Sequence, residues 1–323
     1  MQGTKRRQRI LCSFLCFILI VCCSGCQTQQ DFPDSPKLSI VTTIFPAFDF
    51  ARQIAGEHAN VSMLLRPGTE SHSFEPSPAD IIAVENCDIF IYNGGESDAW
   101  VETMLKNIDT SDCLVIAMIN SVPLLEEEHQ HEEHHHENGH TAAYDEHIWT
   151  SPKNAVKIAL DITKALLQKD AQHQDEYQKN FLNYKNELAE LDGKFERIVD
   201  SARYHTMIFG DRFPFQYFAK AYGLEYRAAF PGCSAETEPS AKTVAYLIDK
   251  IRVDEIPCIF YIEFSNQRLV KVMEEETGAK PLLFHSCHNV SKEEMEAGCT
   301  YLSLMQENAE RLKEALASEV TGK

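Results

Sequence analysis

Basic residues are scarce in this chain: 30 Lys and Arg stand against 49 Asp and Glu. Lys5, Arg6, Arg7 and Arg9 fall within residues 1–26 and no acidic residue does, so the remainder carries 26 basic against 49 acidic residues, a net charge of −23. Such a surface repels phosphate backbones, which excludes nucleic acid as a partner and weakly favours a cationic ligand. Long apolar runs are missing too. The run over residues 10–21, broken only by Ser13, falls short of the roughly 20 residues a membrane span needs. There is no HExxH, no GxSxG and no Gly-rich phosphate loop, so the usual signatures of hydrolytic and nucleotide chemistry are absent. No internal repeat is visible, which removes solenoid architectures.

A basic start followed by a short apolar run has the order of a secretory signal. Ser24 and Gly25 precede Cys26, the arrangement of a lipobox, although Cys23 stands where Leu is usual. The expectation is a signal peptide over 1–26, Cys26 acylated as the first mature residue, and a polar tether over 27–37. Of 11 cysteines, Cys87, Cys113, Cys233, Cys258, Cys287 and Cys299 would remain in the exported body. Six thiols allow 15 pairings. Cys87, Cys113 and Cys258 lie in apolar stretches and read as small core residues. Cys233 and Cys287 lie in the loop-like segments FPGCSAE and FHSCHNV, and export permits oxidation, so these two are the expected disulfide.

Short β-rich runs at 38–45, 60–66, 87–93 and 113–118, then 205–210, 258–264 and 281–285, alternate with helical spacing such as Phe48, Ala51, Ile54 and Ala55. That alternation predicts α/β architecture with parallel sheets. The runs form two groups about a helical region, in which Tyr177, Phe181, Tyr184, Leu188, Leu191, Phe195 and Ile198 recur at three- and four-residue steps. The expected fold is two lobes, each a parallel sheet flanked by helices, with a helix long enough to span both as a strut. Their bounds are a first lobe over 38–150, a helical region over 151–203 with the linking helix at 173–202, and a second lobe over 204–323. Residues 126–140 hold six His and six Glu, too polar to bury a core, and read as a loop.

Two segments carry chemistry. RPGTESHSFEPSPADI (66–81) sets His72 in a loop between a strand and a helix opened by Ser77–Pro78. DEHIWTSPKNA (145–155) repeats the plan, with His147 ahead of a helix opened by Ser151–Pro152. Loops at the carboxyl ends of parallel strands are where such sheets bind ligands, and paired imidazoles suit a borderline-soft ion. His58, His173 and His205 have no such context and read as structural.

Here the chain resembles the zinc and manganese solute-binding lipoproteins of ABC importers, the cluster A-I receptors of the zinc-uptake subgroup. SHSFEPSPADI is similar to that family's PHxYEPTPxDI and DEHIWTSPKNA to its DPHxWLDPxNA; FAKAYGL (218–224), ETEPSA (236–241) and GCTYLSLMQENAERLKEAL (298–316) match further signatures. The likeness runs from about Leu38 to Leu316. It implies two α/β lobes around a helix, with a metal held between them by three His plus a carboxylate or water. His72 and His147 carry over directly. The family's third His lies in V-S-H-D-A-F-G-Y, but the corresponding IFGDRFPFQYF (208–218) has none; Asp211 survives beside the missing position and could supply oxygen.

Near the last strand PLLFHSCHNV offers His285 and His288. His285, ending the apolar run, is the expected third imidazole, with His288 and Glu263 outside the primary shell or as alternative ligands. His129, His131, His134, His135, His136 and His140 would form an auxiliary loop of weak sites. Nitrogen-rich ligation favours Zn²⁺ over Mn²⁺. The implied function is an extracytoplasmic, membrane-anchored bacterial lipoprotein, monomeric and without catalytic residues, that delivers Zn²⁺ to an ABC permease. A zinc-dependent hydrolase and a zinc-binding surface adhesin are the alternatives.

Overall fold

A computed structural model describes residues 37–69, 74–127, 144–231 and 239–317. His72, Cys26, Cys233 and the six histidines of residues 129–140 therefore lie outside the described residues.

Leu38–Lys323 forms one unit built on two four-stranded sheets. The first contains β1 (Leu38–Thr42), β2 (Ala59–Met63), β3 (Ile89–Tyr92) and β4 (Leu114–Ala117), in the order β2-β1-β3-β4 with every pairing parallel. The helices of this half are α1 (Phe45–Ala55), α2 (Pro78–Glu85) and α3 (Ala99–Leu105). Next come α4 (Pro152–Lys169) and α5 (Gln174–Asp200). The second sheet orders β5 (Thr206–Phe213), β6 (Glu225–Pro231), β7 (Cys258–Tyr261) and β8 (Lys280–Leu283) as β6-β5-β7-β8, again all parallel. Its helices are α6 (Gln216–Tyr222), α7 (Ala241–Val253), α8 (Arg268–Thr277), α9 (Lys292–Glu296) and α10 (Tyr301–Ala317). Among the described residues no helix is long and apolar enough to cross a membrane.

The sequence explains these elements locally. In β3 the run IFIY is almost wholly buried, as strands covered on both faces require. Ser77 and Asp80 close a capping box at the start of α2, and Pro152 opens α4 after Ser151. α5 runs about 40 Å at 1.5 Å per residue, passing through Gly193 unbroken, and buries Tyr177, Tyr184, Leu188, Leu191, Phe195 and Val199. It packs on α1, α4 and α10, so it touches helices of both halves.

One continuous apolar core contains Phe50 of the first half, Trp149, Phe195 of α5, and Phe284 and Tyr301 of the second, all fully buried. Smaller cores cover the outer faces of the two sheets. In both sheets the chain steps outward in opposite directions from a central pair, β1/β3 and β5/β7, which creates a crevice at the strands' carboxyl ends.

Three expectations change. β6, residues EYRAAFP, is a strand that alternation alone did not reveal. β5 extends to Phe213, past the expected end at 210, so Asp211 lies within a strand, at a register irregularity. β8 ends at Leu283, so His285 stands beyond it.

Candidate metal centre

The segment after β4 returns to the crevice at Asp145, and Asp145, Glu146, His147, Ile148 and Trp149 are all buried. Asp145 Oδ1 accepts the backbone N–H of His147 at 2.7 Å and faces its Nδ1 at 2.9 Å. A carboxylate there holds the ring proton on Nδ1, so the lone pair lies on Nε2, which is how histidines are prepared for a metal. Neighbouring bonds fix the loop itself. Asn93 Nδ2 donates to Glu146 O at 2.9 Å, the Ser97 hydroxyl and amide donate to the Glu146 carboxylate, and Thr150 Oγ1 donates to His147 O at 2.8 Å. Gly95 (φ +88°) is needed beside them: a Cβ there would lie 2.5 Å from Glu146 Oε2.

The second wall is the loop after β8. Asn308, wholly buried on α10, accepts the His285 N–H at 2.7 Å and donates to its carbonyl at 2.7 Å. Glu263 accepts the Ser286 N–H at 2.8 Å and the Ser286 hydroxyl. Cys287 then takes a left-handed conformation, φ +61°, which turns the chain between the two histidines. His285 points back into the protein: its Nδ1 accepts the Cys287 N–H at 2.9 Å, and its Nε2 lies 3.6 Å from Glu294 Oε1. His288 points the other way. Its ring centroid lies 5.7 Å from that of His147 and 5.0 Å from the indole of Trp149.

Trp149 joins the walls, donating from Nε1 to Ser286 O at 2.8 Å, while Tyr301 Oη donates to Trp149 O at 2.7 Å. His288 O accepts the first amide of α1, from Phe45, at 3.2 Å. Asn289 Nδ2 donates to Arg66 O at 2.8 Å and Thr69 O at 2.9 Å, and Gly68 N–H donates to Val290 O at 2.8 Å. The loop after β2 is thereby tied to the His288 loop.

His288 also faces a small cleft lined by Thr43, Leu65, Phe74, Asn93 and Asp98. Burial pushes the Asp98 carboxyl up to about 6, against hydrogen bonds from Gly94, Asn93 and Thr43. Asp211 Oδ1 accepts the Arg212 amide at 2.9 Å, Oδ2 is buried without a hydrogen-bond partner among the described residues, and burial raises this carboxyl's pKa.

The structure thus brings His147 and His288 together and turns His285 away from them. Among the described residues no group of three His, Cys, Asp or Glu is placed to hold a metal. Glu263 braces the backbone of the His288 loop. His58 and His173 bond to Glu176 and Asp170 at 2.7 and 2.6 Å, far along the chain from either wall. Cys287 is fully buried, packing encloses its thiol and burial raises its pKa; Cys233, its expected disulfide partner, lies outside the described residues. The sequence reading missed Asp145, whose signal was a carboxylate two residues before a loop histidine. It also missed Asn308 and Asn289, polar residues that gain meaning only from long-range contacts.

Known proteins resemble this chain in sequence and in fold. The family model described as zinc-uptake complex component A, periplasmic, matches residues 40–315. The zinc-binding lipoprotein AdcA of Streptococcus pneumoniae is 31% identical over 312 residues, 96% of this chain and 61% of that protein; the chain thus spans about three fifths of that relative. The high-affinity zinc uptake system protein ZnuA of Bacillus subtilis is 30% identical over 304 residues, 93% of this chain and 95% of ZnuA. The crystal structure of the Zn(II)-bound ZnuA-like domain of S. pneumoniae AdcA superposes with a TM-score of 0.73 at 29% identity, covering 87% of this chain and all of that domain. By these matches the chain belongs to the family of zinc-uptake complex component A proteins.

Proposed function

We propose that this protein captures Zn²⁺ in the crevice between its two sheets and delivers it to an ABC permease, transforming no substrate. The carrying observation is the His147–His288 pair, brought to 5.7 Å between ring centroids with Asp145 orienting the first imidazole. Two imidazoles do not complete a site. The remaining nitrogen is assigned to His72, because both ends of its segment converge on His288: Thr69 bonds to Asn289, and Phe74 lines the His288 cleft. Asp211 or water would complete four-coordination, and His288 replaces His285 in the expected set. Three neutral imidazoles suit Zn²⁺, whereas harder Mn²⁺ prefers more oxygen. The family is one of uptake components, which sets the hydrolase alternative aside.

Names of relatives as lipoproteins support Cys26 as a lipid anchor. Export with its own leader should place the chain in the membrane fraction, and Cys26→Ser should release it to the soluble fraction. Unchanged partition of that variant would remove the anchor.

Zinc titration of metal-stripped protein tests the site. One Zn²⁺ should bind tightly and Mn²⁺ weakly. His147→Ala and His288→Ala should each weaken zinc by more than about 100-fold, beyond the 10–100-fold typical of outer partners. His285→Asn, whose Oδ1 can still accept the Cys287 amide, should stay within about threefold. Were His285→Asn the damaging change and His288→Ala silent, the assignment would reverse.

A further inference from the structure

At the amino ends of β3 and β4, opposite the metal centre, two cysteines stand in contact that the zinc-binding reading does not use. Cys87 Sγ and Cys113 Sγ are 3.4 Å apart, and both residues are buried within the outer core of the first sheet beside Val84 and Phe90. Cys87 Sγ also lies 3.1 Å from Val84 O. The sheet brings the two cysteines near: Ile89 pairs with Leu114 in parallel register and Leu114 N–H donates to Asp88 O, so Cys113, directly before β4, lies beside the turn that holds Cys87, two residues before β3. We propose that Cys87 and Cys113 form a disulfide in the exported protein, fastening the edge strand β4 to β3.

The chemistry is thiol–disulfide exchange. A thiolate attacks a disulfide donor of the extracytoplasmic compartment, protein or small-molecule, and forms a mixed disulfide; the second thiolate displaces the donor's sulfur. The two cysteines lose two electrons and two protons, and the donor leaves as two thiols. Cys113 fits the attacking role, since the hydrogen bond from Cys87 lowers its thiol pKa. Closing the contact to about 2.05 Å asks for a sulfur movement of about 1.4 Å.

The benefit is local. β4 is the last strand of its sheet, paired on one side only, and the chain leaving it leads to Asp145 and His147. A bond between residues 87 and 113 closes the whole β3–α3–β4 unit, and the denatured chain loses the freedom of that loop.

The test uses the full chain, exported from a bacterial host and alkylated under denaturing conditions without reductant. Peptide mapping should recover the Cys87 and Cys113 segments as one linked species. Reductant should lower the thermal midpoint of wild-type protein by about 5–10 °C and leave a Cys87→Ser/Cys113→Ser variant unmoved. Zinc affinity should be the same, within about twofold, before and after reduction, which separates this proposal from that for the metal centre. Both thiols alkylated, even after equilibration with oxidised glutathione, would overturn it, as would either cysteine recovered linked to Cys233 or Cys299. The mapping is done on wild-type protein, so it decides the matter even where the double variant misfolds.

Discussion

Asp145 does two things with one oxygen, anchoring the His147 amide and its ring proton. Asparagine could present its oxygen or its amide there, without the charge that favours the correct tautomer. Asp145→Asn should therefore cost about 10–100-fold in zinc affinity with unchanged far-UV circular dichroism; full affinity would show that the carboxylate does not prepare the ligand. Asp98 gives a pH prediction. Its folded pKa, about 6, lies above the usual 3.8, so the stability it contributes is fully present below 3.8 and is lost as pH rises through 6. In zinc-free protein, wild-type stability relative to Asp98→Asn should fall by about 2 kcal/mol between pH 4.5 and 7.5 in urea unfolding. A flat difference would mean that Asp98 is solvated. His147 was legible in sequence because its loop repeats the pattern of His72. The opposed directions of His285 and His288 were not: they rest on the positive φ of Cys287, a conformation no neighbouring letter announces in a non-glycine residue.

The loop after β8 carries His288 but borrows its shape from α10 and β7. Asn308→Ala would strand the buried N–H and C=O of His285 together, which should cost about 2–4 kcal/mol and loosen zinc binding as well. Equilibrium unfolding and zinc titration of the same variant check both halves; loss of stability with native affinity would show that the loop holds its form without the clamp. The His-rich segment is joined to the fold at described residues. Its stem is fixed by the Glu126–Tyr144 bridge and by Gln216 Nε2, which donates to Glu126 O at 2.7 Å. Deleting residues 128–140 should remove only additional weak zinc sites, since ligands drawn from a stretch too polar to bury a core lose conformational entropy on binding. Loss of the tight site would make that segment a primary ligand and displace His288 from the proposal. At this scale the sequence was readable where periodicity was strong: α5 occupies Gln174–Asp200 against an expected 173–202. β6 escaped notice because EYRAAFP opens with charge and ends in Pro, and its neighbour β5, not its own pattern, makes it a strand.

For the molecule as a whole, the two sheets promised by the β/α alternation share an interior as well as the long helix that packs on both halves. Phe50, Trp149, Phe195, Phe284 and Tyr301 belong to one apolar cluster, and Asp49 of α1, itself buried, accepts the first amide of α10 at 2.9 Å. Separating the halves would expose these aromatic faces to water at about 25 cal/mol per Å² of apolar surface. Neither half should therefore unfold alone. Zinc bound at the proposed site would then stabilise everything the core connects, by RT ln(1 + [Zn]/Kd), about 2.7 kcal/mol when free zinc is 100 times Kd. Calorimetry of stripped protein should show a single transition, and zinc should move it upward undivided, whereas His288→Ala should hold it in place. Two resolved transitions, with zinc shifting only one, would mean that the halves keep independent cores and that the metal rests on one of them.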